Sequence, residues 1–159
     1  GIEDVDFLRF PDNRFDTFPM LDLIKAIELR KHQAVPDIVY TNSPLDLSVD
    51  QQKTCRAVIT AFRPLPGDNS AEIRCFEVLS STEWNQAEFG RSFSPNAYTD
   101  IEATIGLKLA AFGEYASEVR PWPHPRSLES IDALARIRGS SIGFKAAEAF
   151  QVLRQVIQI

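Results

Sequence analysis

The sequence predicts an α/β fold, a three-layer arrangement with helices on the faces of a mainly parallel sheet. Three observations carry that prediction. Short apolar runs such as "DIVYT" at 37–41 alternate with longer amphipathic stretches. Those stretches repeat their apolar residues at i, i+3, i+4 and i+7, the period of a helix with one buried face. Clusters rich in Pro, Gly and Asn separate the segments into pieces of one strand or one helix each. A strand, a helical crossover and a second strand close most readily into a parallel pair.

Each element follows in order. "VDFLRF" (5–10) is a short strand candidate that Pro11 stops, since proline cannot donate to a ladder. Met20, Leu23, Ile24 and Ile27 mark an amphipathic helix over about 18–32. "DIVYT" is a continuous apolar run suited to a buried parallel strand. Cys55, Val58, Ile59 and Phe62 give a second helix over about 49–62, and "RPLPGDNS" (63–70) is a turn cluster. "AEIRCFEVL" (71–79) reads as a strand, 80–96 as a polar surface loop and "AYTDI" (97–101) as a further strand. Ile105, Leu109, Phe112 and Ala116 mark a third helix with Asp100 as its N-cap. "RPWPHPR" (120–126) carries three prolines and runs as an extended loop. Ser127 caps a fourth helix with Leu128, Ile131, Leu134 and Ala135, fading at Gly139, and "EAFQV" (148–152) is the last strand. The whole, 1–159, is one domain with a Rossmann-like sheet.

Composition removes several function classes. The 159 residues carry a net charge of −5, with Lys and Arg scattered rather than clustered. Nucleic acid or an anionic membrane as main partner would need a basic surface. No apolar run reaches the roughly 18 residues of a membrane span. Cys55 and Cys75 lack a CxxC spacing and read as reduced core thiols, which fits a cytoplasmic protein.

The informative stretch is "TNSPLDLSVDQQ", 41–52, directly after "DIVY". It sets Asp46 and Asp50 across a turn at the carboxyl end of a strand, where ligands bind in such sheets. Two readings are open. Ser48-Val49-Asp50-Gln51 fits a capping box, with the Ser48 hydroxyl on the Gln51 N–H and the Gln51 amide reaching back to the Ser48 N–H. Asp50 would then complement the helix dipole. Alternatively these side chains hold a ligand. Asp46 is not needed by the cap and is either a turn aspartate or a site residue. Asp12 and Arg14 follow the first strand candidate. His124 and Arg126 sit in the proline-stiffened loop, where the Arg126 fork could hold a sugar hydroxyl or a phosphate. Trp84 and Trp122 lie in loops and either stack on a ligand ring or pack; His32 stands apart.

One family combines these pieces. "PDIVYTNSPLDLSVDQQ", "RPLPG", "FEVLSSTEW", "FSPNAYTDI", the Lys108 helix, "PHPRS" and "RGSSIGFKAAEAF" resemble, in this order, the PIG-L/LmbE-type deacetylases. The resemblance implies zinc-dependent removal of acetyl from N-acetylglucosamine-type sugars on small conjugates. It also implies that "GIEDVDFLRFPDNRF" matches the family's third strand and the loop behind it. The chain would then start downstream of the family's His-Pro-Asp-Asp signature, with its sheet incomplete at the N-terminal end. By the same matching, Gln51 occupies the position of a zinc-ligating His, Asp50 precedes it, and Ser48 occupies that of a carbonyl-polarising His. Ser48 and Asp50 are therefore the candidate catalytic positions and Gln51 the metal position. Asp12, Arg14, Asp46, His124 and Arg126 are candidate contacts to a small sugar conjugate.

A neutral Gln amide is a poor zinc ligand. The expectation is thus a deacetylase relative inactive as this chain alone. The alternatives are a non-catalytic sugar-conjugate binder, or an assembly protein that forms homo-oligomers through an exposed sheet edge.

Overall fold

The computed structural model describes residues 2–68, 70–85 and 92–157. Four strands, β1 (Ile38–Asn42), β2 (Glu72–Phe76), β3 (Ala97–Asp100) and β4 (Ala147–Arg154), form one sheet in the order β1-β2-β4-β3. Four α-helices flank it: α1 (Met20–Ala34), α2 (Val49–Ala61), α3 (Ile105–Gly113) and α4 (Leu128–Ser140). The α/β architecture is as the alternation predicts.

The sheet is mixed, not mainly parallel in its pairing. β1 and β2 pair in parallel, whereas β4 runs antiparallel to both β2 and β3. Three strands share one direction and β4 is reversed between two of them. The reason lies in the connections. One helix, α2, carries the chain from β1 back to start β2 in the same sense. Two helices, α3 and α4, separate β3 from β4, and the extra helix returns the chain reversed.

"VDFLRF" is not a strand. Residues 2–9 are exposed, Arg9 adopts a left-handed φ of 56°, and no ladder forms there. A strand needs a partner for its N–H and C=O groups, and β1 pairs only with β2 among the described residues. What anchors this segment is side chains: Asp6 pairs with Arg30, and Phe10 meets the rings of Phe15 and Phe18 edge-on at 5.8 and 5.7 Å. Asp100 does not cap α3; it ends β3, and the cap position is Thr104, without a side-chain bond. The third helix also stops at Gly113, short of Ala116, and α4 runs one residue past Gly139. Ser127 does cap α4, accepting from the Ser130 N–H at 3.1 Å. The predicted loop at 80–96 lies partly outside the described residues, and 79–84 are turns.

The main core lies between α1, α2 and the sheet. Leu23 and Ile24 meet Ala57, Val58, Ala61 and Phe62 and close over Ile73 of β2. Cys55 of α2 and Cys75 of β2 are free thiols buried here, their sulfurs 3.9 Å apart. A second, smaller cluster sits where α4 meets the start of β4: Ile101, Ala135 and Ala146. It depends on Gly139. A Cβ at that position would stand 2.7 Å from the Ala146 backbone and 2.8 Å from the Phe144 carbonyl.

The loop between β1 and α2 is tied to the turn after β2 by one buried carboxylate. Asp46 is fully buried, and its Oδ2 accepts from the Ser43 N–H at 3.1 Å. The Thr82 hydroxyl donates to Oδ1 and itself accepts from the Val78 N–H at 2.7 Å. The Gln52 amide donates to the Asp46 carbonyl at 2.6 Å, so the same residue also fixes the start of α2. Burial raises the Asp46 pKa; the bonds from Thr82 and Ser43 oppose this, and nearby Glu83 adds to it.

Gly139→Ala should gain about 1 kcal/mol in helix propensity but lose more to the backbone clash. The net expectation is a melting temperature lowered by several degrees, and an unchanged or higher value would show that α4 and the 144–146 segment can separate freely. For Asp46 the sign is set by its raised pKa. Its favourable contribution is complete below the unfolded-state pKa and is lost as pH rises through the higher folded-state value. Asp46→Asn cannot titrate, so the stability of the natural chain relative to this variant should shrink from acid to neutral pH. Urea midpoints for both proteins at several pH values test this; a constant gap would contradict it. Asp46→Ala, which strips both donors of their acceptor, should lose about 1–3 kcal/mol.

Candidate functional site

The carboxyl end of β2 and the start of β4 open onto a pocket of about 580 Å³. Phe76, Val78 and Leu79 line it from the end of β2, Ile131 and Leu134 from α4, and Phe112 from α3. Its charged lining consists of three ion pairs. Lys108 of α3 meets Glu148 of β4 at 2.6 Å, and Arg138 of α4 grips Glu77 with two bonds of 2.8 and 2.6 Å. Arg126 pairs with Glu118. The bond from Glu77 raises the Arg138 pKa further and keeps it charged despite its partial burial.

Of the eight residues singled out from sequence, two line this pocket: Gln51 and Arg126. Both are bonded to one turn. The Gln51 Oε1 accepts from the Ser81 hydroxyl at 2.7 Å, and the Arg126 Nε donates to the adjacent Ser80 hydroxyl at 2.5 Å.

The helix start is only half of the expected capping box. Ser48 Oγ accepts from the Gln51 N–H at 3.4 Å, as predicted. The return bond is absent: the Ser48 N–H donates to Ser81 Oγ at 3.4 Å while Gln51 accepts from that same hydroxyl. Ser81 therefore stands between the two, and the cap is built across the chain rather than within it. Asp50 is engaged elsewhere, its Oδ1 accepting from the Phe15 N–H at 3.0 Å and so fixing the single 3-10 turn at Phe15–Thr17.

The remaining candidates lie off the pocket wall. Asp46 is the buried tie described above. Asp12 is exposed and accepts from the Asn13 amide at 2.9 Å, while Arg14 is exposed and offers its carbonyl to the Thr17 hydroxyl at 2.8 Å. Among the described residues no strand precedes either, so the carboxyl-end argument for them falls away. His124 accepts from the Arg126 N–H through Nδ1 at 3.0 Å, and its ring meets Trp84 edge-on at 5.8 Å. It shapes the loop that presents Arg126. Trp122 is exposed.

Residues the sequence reading missed are Glu77, Glu118, Arg138 and Glu148. No local pattern in the sequence marks them, and the fold brings each to its partner. Lys108 marks its helix in the sequence but carries no signal of a role.

A zinc ion does not fit the side chains at this end of the sheet. Gln51 offers a neutral amide oxygen already bonded to Ser81, the carboxylates of the same loop, Asp46 and Asp50, point to backbone and hydroxyl donors, and those of the pocket are paired with its cations. Among the described residues no three His, Cys, Asp or Glu side chains converge. No helix among them is long and apolar enough to cross a membrane.

No protein-family model matches the sequence, and no curated protein matches it. Solved structures do. The chain is similar to the conserved protein TT1542 from Thermus thermophilus, with 20% identity and a TM-score of 0.69 over 94% of this chain and 65% of that one. It is also similar to N,N'-diacetylchitobiose deacetylase from Pyrococcus horikoshii, with 20% identity and a TM-score of 0.66 over 92% of this chain and 55% of that one. The chain thus spans less than two thirds of the length of either protein. At this identity the likeness establishes the fold alone: nearly the whole chain follows the course of part of each of these two structures.

Proposed function

We propose that this chain carries the pocket of a deacetylase-fold domain and holds a small sugar conjugate there without hydrolysing it. The supporting observation is that Gln51 and Arg126, each bonded to one of two adjacent serines, both line the pocket at the carboxyl end of β2. An amide and a guanidinium on one pocket wall supply donors and an acceptor of the kind that a sugar's hydroxyl and N-acyl groups need. The likeness to a chitobiose deacetylase adds fold-level support. Hydrolysis by the family's route needs three zinc ligands and an activated water, and the Gln51 amide does not supply one of them.

The test is titration of N-acetylglucosamine and N,N'-diacetylchitobiose into the chain, followed by NMR, with acetate release measured in parallel. Saturable binding without acetate release is expected, with or without added zinc. Arg126→Ala should weaken binding at least about tenfold, the scale of a lost charge-assisted hydrogen bond. Zinc-dependent acetate release would sink the binding-only reading and restore the hydrolase.

A second reading, self-assembly, rests on the free edge of β1, where Ile38 and Tyr40 are 40% and 48% exposed. Such an edge is a template for another strand. Light scattering should then show a dimer that Tyr40→Lys dissociates; a monomer at high concentration removes this reading.

A further inference from the structure

The pocket is more apolar than a sugar alone requires. Its three cations, Lys108, Arg126 and Arg138, are each paired with a carboxylate of the same pocket, so no free charge is left to attract an ionic ligand. Between these pairs the wall is Phe76 and Val78 from the end of β2, Ile131 and Leu134 from α4, and Ala111 and Phe112 from α3.

Helix α3 makes the same point independently. Its sequence, "IGLKLAAFG", holds one charged residue, yet none of the nine residues is buried. An apolar helix normally hides its apolar stripe against a core. Here Ala111 and Phe112, with Lys108 one turn before them and Tyr115 just beyond the helix end, line the pocket. The helix is held in place by its packing on α4 and by the Lys108–Glu148 pair. Its apolar stripe therefore faces the cavity, where a ligand would complete its burial.

We propose that the pocket takes the apolar arm of an amphiphilic conjugate, an uncharged acyl chain of medium length laid between α3 and α4, with its sugar end at Gln51 and Arg126. This rests on the sugar reading above for the polar end only. The arm is recognised by area and shape, and each methylene buried multiplies affinity by roughly fourfold.

The experiment compares N-acetylglucosamine, N-octanoylglucosamine and octanamide, each titrated calorimetrically into the 159-residue chain below its aggregation concentration. N-octanoylglucosamine is expected to bind at least about tenfold more tightly than N-acetylglucosamine, since even partial burial of the extra methylenes exceeds that factor. Ala111→Trp, at an exposed position of α3, would fill the space and bring the ratio of the two affinities close to one; Leu134→Ala would lower it more mildly. Circular dichroism confirms that the variants are folded. Equal affinity for the two sugars overturns the acyl arm and leaves the sugar reading standing. A gain that survives Ala111→Trp also overturns it, because the chain would then bind elsewhere. Octanamide binding as tightly as N-octanoylglucosamine supports the apolar arm and removes the sugar end. Failure of all three probes to bind overturns both.

Discussion

The Asp46 carboxylate is the constraint on which the site depends. Two strands end side by side, and each is followed by a loop that no ladder fixes. Asp46 reaches from the first loop to Thr82 in the second, and takes the Ser43 N–H of its own loop as well. Because the side chain is fully buried, neither bond can be replaced by water, and leaving a donor unmet there would cost about 1–3 kcal/mol. The contact also sets direction. With Gln52 bonded to the Asp46 carbonyl, α2 must begin where it does, and Gln51 is turned toward the pocket.

This tie explains why the helix start is assembled from two loops. A capping box within one segment would be complete in itself, and its Gln would be occupied with its own Ser. Here Ser81, brought in by the Asp46–Thr82 bond, accepts from the Ser48 N–H and donates to the Gln51 amide. One hydroxyl thus satisfies both groups. The Gln51 side chain remains at the pocket wall, as does Arg126 on Ser80. Two adjacent serines therefore position both of the polar groups that the sequence had singled out and the pocket retains.

How much of this was legible in the sequence follows from the range of each interaction. The helices and all four strands were legible because their composition and apolar period are local. The Ser127 cap was legible for the same reason. The sheet's mixed pairing was not, since strand direction depends on two helices between β3 and β4, and periodicity does not say which way a chain returns. The opening segment had the composition of a strand, but a strand exists only where a partner accepts its backbone bonds, and composition carries no partner. At the site, Gln51 and Arg126 were found through chemistry and through a family resemblance. The three carboxylates that pair with the pocket's cations were not. Glu118 lies eight residues before Arg126, Glu148 forty beyond Lys108, and Glu77 sixty-one before Arg138. Only the last two of these distances are bridged by the sheet, and no local pattern marks any of them.

Those pairs decide what the pocket can do. A hydrolytic metal site concentrates unpaired donors on one point and leaves a position open for water. In this pocket each charge is spent on a neighbour, and the polar residue that α2 turns toward it is a neutral amide. Pairing has a structural use of its own: Lys108–Glu148 holds α3 over β4, and Arg138–Glu77 holds α4 to the end of β2. The two helices, packed on each other, thereby form apolar walls of the pocket, and the charges support them. What the pocket offers a ligand is shape, apolar area and, in the reading proposed above, a short polar end at Gln51 and Arg126.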